Sequence, residues 1–312
     1  MLDKDTAATD DDAMVRIPPG RARIWRLTSL VGFCMSSTLS SAAHAGHCPS
    51  GPVIFVHGLE QDASIFDHMV VALTKLGVAR ECLHAFNYSG GNLPVQQAAE
   101  KELAPYVERV IAAERTPTRV NLVGHSMGAL SARWFAARVR PERVRTWIST
   151  SGANHGTDWQ CPQADDTGHG DLCPAFARNS RESAVQFALN GAPGPDVDET
   201  PYGLGRDSAG VRTVAADATR SILYLTVHVA ADPFIKPNSS LLLDGAGGVV
   251  LDLPPAARWH EQAPGNFVVY TEPSGHDEVL RSDALADFVY RAISVVRPEP
   301  DIAATPTSDY VH

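Results

Sequence analysis

Long apolar runs are missing from this chain. Nowhere do 18 consecutive apolar residues occur, which excludes a membrane-spanning helix and argues against stable membrane insertion. Positive charge is also short. The 26 Lys and Arg residues face 36 Asp and Glu, a formal net charge of −10, so a nucleic-acid partner is not expected. No segment repeats, which sets aside solenoids and propellers. Cysteine is sparse, with five in 312 residues. What remains is a chain with 44% hydrophobic residues, long enough to bury a full core without staples.

The amino-terminal segment has its own pattern. Arg16, Arg21, Arg23 and Arg26 precede a mildly apolar stretch from Leu27 to Met35, and "SSAAHA" ends on small residues at Ala43 and Ala45. This is the layout of a secretory signal cleaved after Ala45, with Met14 as an alternative start behind the acidic "DKDTAATDDDA" and a disordered tail as the competing reading. Cys34 follows Phe33 rather than a small residue, which argues against a lipid-anchored cysteine. Export leaves Cys48, Cys82, Cys161 and Cys173, an even count that reads as two disulfides in an oxidising compartment. Of the three connectivities, Cys48–Cys82 with Cys161–Cys173 is favoured: the first pair heads two neighbouring strands, the second closes a short loop. The segment "CPQADDTGHGDLC" also offers Asp165, Asp166, His169 and Asp171, but its spacing matches no strong metal pattern. No metal is expected.

Apolar runs alternate with helical spacing across the rest. "PVIFVHG" (52–58), "CLHAFNY" (82–88), "VNLVG" (120–124), "VRTWIST" (144–150), "SILYLTVHV" (221–229) and "NFVVYT" (266–271) read as strands. Phe66, Met69, Val70 and Leu73 fall at helical period, as do Leu103, Val107, Val110 and Ile111. A helix is expected from Ala129 to Val139, and a last one carries Val279, Leu280, Phe288, Val289 and Ile293. Uniformly apolar strands separated by helices predict an α/β fold: a mostly parallel sheet covered by helices on both faces. The rhythm breaks at about 152–220, a Gly-, Pro- and Asp-rich stretch read as a lid- or cap-like insertion with one helix near Pro174–Asn190. Phe176, Val185, Phe187 and Leu189 either form an apolar lid face there or pack the helix onto the sheet. The expected domain runs from 46 to 296, and 297–312 reads as a disordered tail.

The segment Gly124-His125-Ser126-Met127-Gly128 sits between a strand and a helix. That is the setting of a nucleophile elbow, where a sharp turn pushes a serine hydroxyl out over the sheet. A serine hydroxyl needs a base. His276, in "TEPSGHDEVL", stands between the last strand and the last helix and is the candidate; His260, in "ARWHEQ", is the nearest rival. His125 adjoins the serine and is expected to point away, into a pocket beside the elbow. The acid that orients the base should follow the strand at 221–229, which selects Asp232, with Asp244 and then Asp217 behind it. Oxyanion donors are expected at the backbone N–H groups of Met127 and Leu59, and His57 is expected to be a structural hydrogen-bonder.

Together, "PVIFVHGL", "VNLVGHSMGAL", "SGANHGT", "LTVHVAADPFIKPNSSLLLDGA" and "GHDEVL" resemble the secreted bacterial lipases and esterases of the α/β-hydrolase superfamily, the class 2 lipase group above all. The resemblance covers most of residues 52–296 and implies an α/β-hydrolase fold, hydrolysis of carboxylic esters or lipids, and no cofactor. The chain departs from compact members in carrying about 70 residues, with two cysteines, between the strands at 144–150 and 221–229. A polyester depolymerase of the polyhydroxyalkanoate type would use the same machinery. Acyl transfer to an acceptor other than water and a non-catalytic binding protein on this fold are more distant alternatives. A monomer is expected.

Overall fold

The computed structural model describes residues 48–89, 93–114, 118–159, 161, 169–174, 184–190, 222–242, 259–263, 265–269 and 275–295. Seven strands form one sheet: β1 (Val53–Val56), β2 (Leu83–Phe86), β3 (Val120–His125), β4 (Val144–Thr150), β5 (Leu223–Val229), β6 (Trp259–Ala263) and β7 (Asn266–Val269). Their order is β2-β1-β3-β4-β5-β7-β6, parallel throughout except for β6 against β7. The described helices are α1 (Asp67–Lys75), α2 (Val95–Gln97), α3 (Ala104–Ala113), α4 (Met127–Trp134), α5 (Ala184–Asn190), α6 (Pro237–Ser240) and α7 (Asp283–Ser294). π-helical turns join α2 to α3 (Ala98–Leu103) and extend α4 (Phe135–Val139).

Successive strand residues point to opposite faces, so each buried strand feeds two cores. Ile54, Val56, Leu122, Trp147 and Tyr224 join the side covered by the 95–113 helix and α4. Val53, Phe55, Val123, Ile148, Leu225 and Val227 join the side covered by α1 and α7. This double burial is why the strands read as uniformly apolar. The Trp147 indole N–H donates to the Ala129 carbonyl (3.1 Å), so the largest core side chain also leaves no indole donor unpaired. At the leading end of the sheet, Asn121 Nδ2 donates to the Ser50 carbonyl (2.7 Å) and stitches the segment before β1 onto β3.

Among the described residues two disulfides are present, Cys48–Cys82 and Cys161–Cys173, with Cα atoms 5.7 and 5.0 Å apart. The first joins the leading ends of the paired strands β1 and β2. With a sequence separation of 34 it contributes about 4 kcal/mol in the chain-entropy account. The strand β6 was not expected. It carries His260 opposite Val268 on the sheet edge, and Gly265 takes a left-handed φ of 77° in the turn to β7. The signal segment 1–45, the tail 297–312, Phe176, Asp165, Asp166, Asp217 and Asp244 lie outside the described residues, as does most of the insertion.

Candidate active site

The site begins at the C-terminal end of β3. Ser126 adopts φ 54° and ψ −126°, a left-handed backbone for a residue with a side chain. Such a conformation costs on the order of 1–3 kcal/mol and persists only where its surroundings enforce it. Here they do. A Cβ on Gly124 would collide with the Ala129 backbone, and one on Gly128 would collide with the carbonyls of Val56 and His57. Helix α4 therefore starts pressed against β1 and β3, and the chain has no room for a gentler turn. Met127, buried, is the first residue of α4, where backbone N–H groups have no partner within the helix. The loop after β1 lies directly on the serine: a Cβ on Gly58 would sit 2.7 Å from Ser126 Cβ and 3.2 Å from its Oγ.

His276 and Asp232 meet from loops after β7 and β5. Nδ1 of His276 lies 2.7 Å from Asp232 Oδ2, and the two side chains are 8% and 0% exposed. The other carboxylate oxygen of Asp232 accepts the N–H groups of Phe234 and Ile235, each at 2.9 Å. Burial pushes this carboxyl upward. The hydrogen bond and charge of His276 and the two amides outweigh burial and hold it below the ordinary carboxylate range. An ionised Asp232 fixes the tautomer of His276, with Nδ1–H toward the carboxylate and the Nε2 lone pair free for chemistry.

His125 departs from expectation. It is buried beside the elbow, yet its ring lies 4.7 Å from that of His276, and its Nε2 lies 3.0 Å from Asp277 Oδ1. Asp277 directly follows His276 in the chain. His57 behaves as a packing residue. Its Nδ1 is 2.9 Å from the Gly58 carbonyl, its ring stands edge-on to Tyr88 at 4.7 Å, and burial pushes its pKa below the ordinary value. Atoms of His125, His276 and Asp277 come within 4.8 Å of one another, a set that could hold a metal ion, but the Asp232 and Asp277 hydrogen bonds already engage both imidazoles.

A family model for palmitoyl protein thioesterases matches residues 52–188. A triacylglycerol lipase of Pseudomonas fragi is 55% identical over 40 residues, 13% of each chain. One from Burkholderia plantarii is 30% identical over 145 residues, 43% of this chain and 40% of the relative, so the chain matches less than half the length of these curated relatives. Among solved structures, Aspergillus fumigatus lipase B is similar with a TM-score of 0.53 at 16% identity, covering 85% of this chain and 57% of that one. A Bacillus licheniformis lipase in its propeptide form reaches 0.51 at 12% identity, covering 81% and 52%. The chain has an α/β-hydrolase fold.

In this α/β-hydrolase fold a cavity of about 260 Å³ lies over the serine, bordered by Ser126, His276 and Leu59. Its apolar wall also includes Trp159, Leu172, Phe234 and Ile235, none of which the sequence singled out. Trp159 and Phe234 are 38% and 37% exposed and pack at 4.9 Å, and Phe234 stands edge-on to His276 at 5.4 Å. Thr157 holds the pair in place: its hydroxyl donates to the Phe234 carbonyl (2.6 Å) and accepts the Trp159 N–H (3.1 Å). Gln61 and Asp277 were missed too, although each is within two residues of a residue that was chosen.

Proposed function

We infer that this chain is a serine hydrolase that cleaves carboxylic esters with apolar acyl groups. Ser126 Oγ attacks the ester carbonyl, and His276 Nε2 takes the hydroxyl proton. Asp232 keeps the imidazole in register and stabilises its cation. The backbone N–H groups of Leu59 and Met127 receive the oxyanion, a pair of donors of which each is typically worth ~10²–10³ in turnover. His276 then delivers the proton to the departing alkoxide, and water releases the acyl group through the same groups in reverse.

The observation that carries this reading is the 2.7 Å bond between His276 and the buried carboxylate of Asp232, beside a serine in a left-handed backbone and under an apolar cavity. The triacylglycerol lipase relatives favour oxygen esters. The palmitoyl protein thioesterase match favours acyl thioesters as a second substrate class, which the same groups would cleave. Export as a monomer, after removal of residues 1–45, completes the proposal and suits the two disulfides.

The test is a chain-length series of nitrophenyl esters and matching acyl thioesters. Ser126→Ala and His276→Ala should each lower turnover by up to ~10⁶, because such residues act as a unit, and Asp232→Asn by around 10⁴. Hydrolysis by Ser126→Ala at near the unmodified rate would overturn the reading.

A further inference from the structure

A second set of hydrogen bonds joins three loops around the site. The Gly58 N–H donates to Gln61 Oε1 (2.9 Å), and Gln61 Nε2 donates to Asp277 Oδ1 (2.7 Å). The same oxygen lies 3.0 Å from His125 Nε2. His125 Nδ1 lies 3.1 Å from the Thr150 carbonyl, which also accepts the Ser126 N–H at 3.1 Å. Both neighbours of His125 are acceptors, and a neutral imidazole supplies one donor. The Thr150 carbonyl already has the Ser126 amide, so the Nε2 proton goes to the carboxylate, the stronger acceptor.

One carboxylate thus ties together segments 216 and 152 residues apart in sequence. It follows His276 in the chain, so its anchorage sets how the imidazole stands over Ser126. Through Gln61 it also fixes the Gly58 amide, next to the Leu59 amide assigned to the oxyanion. Displacements of about 1 Å in such groups cost on the order of 10²-fold in rate. We propose that Asp277 is a positioning residue for ester hydrolysis, holding the loops of His276 and Leu59 against the elbow through His125 and Gln61. This rests on the assignment of Ser126, Asp232 and His276 as the reacting set.

Electrostatics give the proposal a signature of its own. Among the described residues, the ionisable groups around His276 are Asp232 at its Nδ1, the His125 ring, Asp277, Glu278, whose carboxylate lies against Gly275, and Glu60 on the cavity wall. Asp277 is drawn below the ordinary carboxylate range first by its His125 bond, with further pull from the charge of both histidines. Removing the carboxylate takes a negative charge away from beside both imidazole rings.

The experiment compares kcat, KM and pH profiles of the full chain on a soluble short-chain nitrophenyl ester. Asp277→Ala should lower kcat about 10–100-fold with KM within about twofold, and move the acid limb of kcat/KM to lower pH. Asp277→Asn keeps an acceptor for Gln61 and His125, so it should recover much of kcat while keeping the displaced limb. Gln61→Ala should lower kcat a few-fold and leave the limb in place. The proposal is overturned if both Asp277 variants keep the unmodified kcat and limb. It is equally overturned if the loss of kcat follows only a loss of folded protein, or, where Asp277→Ala does not fold, if Asp277→Asn leaves the limb unmoved. Ser126→Ala separates the two levels: an active Ser126→Ala removes the site assignment itself, whereas an inactive one beside unaffected Asp277 variants removes only the positioning role.

Discussion

Helix α5 carries the sharpest mechanical question, because its residues divide between the core and the surface. Val185 and Leu189 are 4% and 1% exposed and belong to the core cluster, while Phe187 on the other face is 48% exposed. Its C-terminal carbonyls are bound by the elbow helix and the π-turn after it: Arg133 Nη2 donates to the Leu189 carbonyl (3.1 Å) and Arg138 Nη2 to that of Ala188 (2.5 Å). Cations at this end also complement the helix dipole. Asn190 is held between Arg133 Nη1 (2.8 Å) and the Asn154 carbonyl (2.7 Å), and Gln186 donates to the Ala153 carbonyl (3.0 Å). Such anchoring predicts a fixed wall rather than a moving lid. Leu189→Ala should therefore cost 2–5 kcal/mol, of which a central value of about 3 kcal/mol lowers Tm by roughly 6–12 °C in a domain of this size. Phe187→Ser, at a half-exposed position, should cost about 1 kcal/mol or less and reduce hydrolysis of emulsified lipid more than that of a dissolved ester. The assays are thermal melts and paired rate measurements on both substrates. An unchanged melting temperature for Leu189→Ala would refute the packed-wall argument. Equal losses on both substrates for Phe187→Ser, with a lower Tm, would show that this side chain is packing and not a surface for substrate.

Acid should weaken the fold in two stages. Burial is the leading cause that lowers His57 and His125 from the ordinary value of 6.5; the unfolded chain then binds more protons, so stability is full above that value and declines as pH falls through it. Asp232 and Asp277, held below the ordinary carboxylate value of 3.8, add stability that is lost only as pH falls further. Melts from pH 8 to about 3 check this, and His57→Gln should flatten the upper stage; a Tm that rises between pH 7 and 5 would refute it. Thiol titration of the denatured, unreduced protein should find no reactive thiol among Cys48, Cys82, Cys161 and Cys173, and two or more would contradict the pairing.

Much of this architecture was legible because burial on both sheet faces leaves an unmistakable mark. The strand at Val144–Thr150 matches the apolar run residue for residue, and β1, β3, β5 and β7 lie within their runs apart from the terminal His125 of β3. Strand β6, "WHEQA", escaped because an edge strand needs no apolar run, and its pairing depends on the turn at Gly265. The Glu278–Arg281 segment read as part of the last helix but is a separate 3₁₀ turn, broken by Ser282, whose hydroxyl caps α7 at Ala284 N–H. At the candidate site, the positions of Ser126, His276 and Asp232 in loops after β3, β7 and β5 were legible from the strand pattern. The links that hold their loops were not. Gln61, His125 and Asp277 meet across more than a hundred residues, and nothing in local composition marks which polar residues will share a proton.

The central claim is that Ser126 is a nucleophile activated by His276. The most direct measurement is the mass of the protein after treatment with an organophosphonate ester, with the adduct mapped to a peptide. The account predicts one adduct per chain on the peptide holding Ser126, formed far more slowly in His276→Ala and absent in Ser126→Ala. An unmodified chain, or an adduct on another residue that persists in Ser126→Ala, would contradict it.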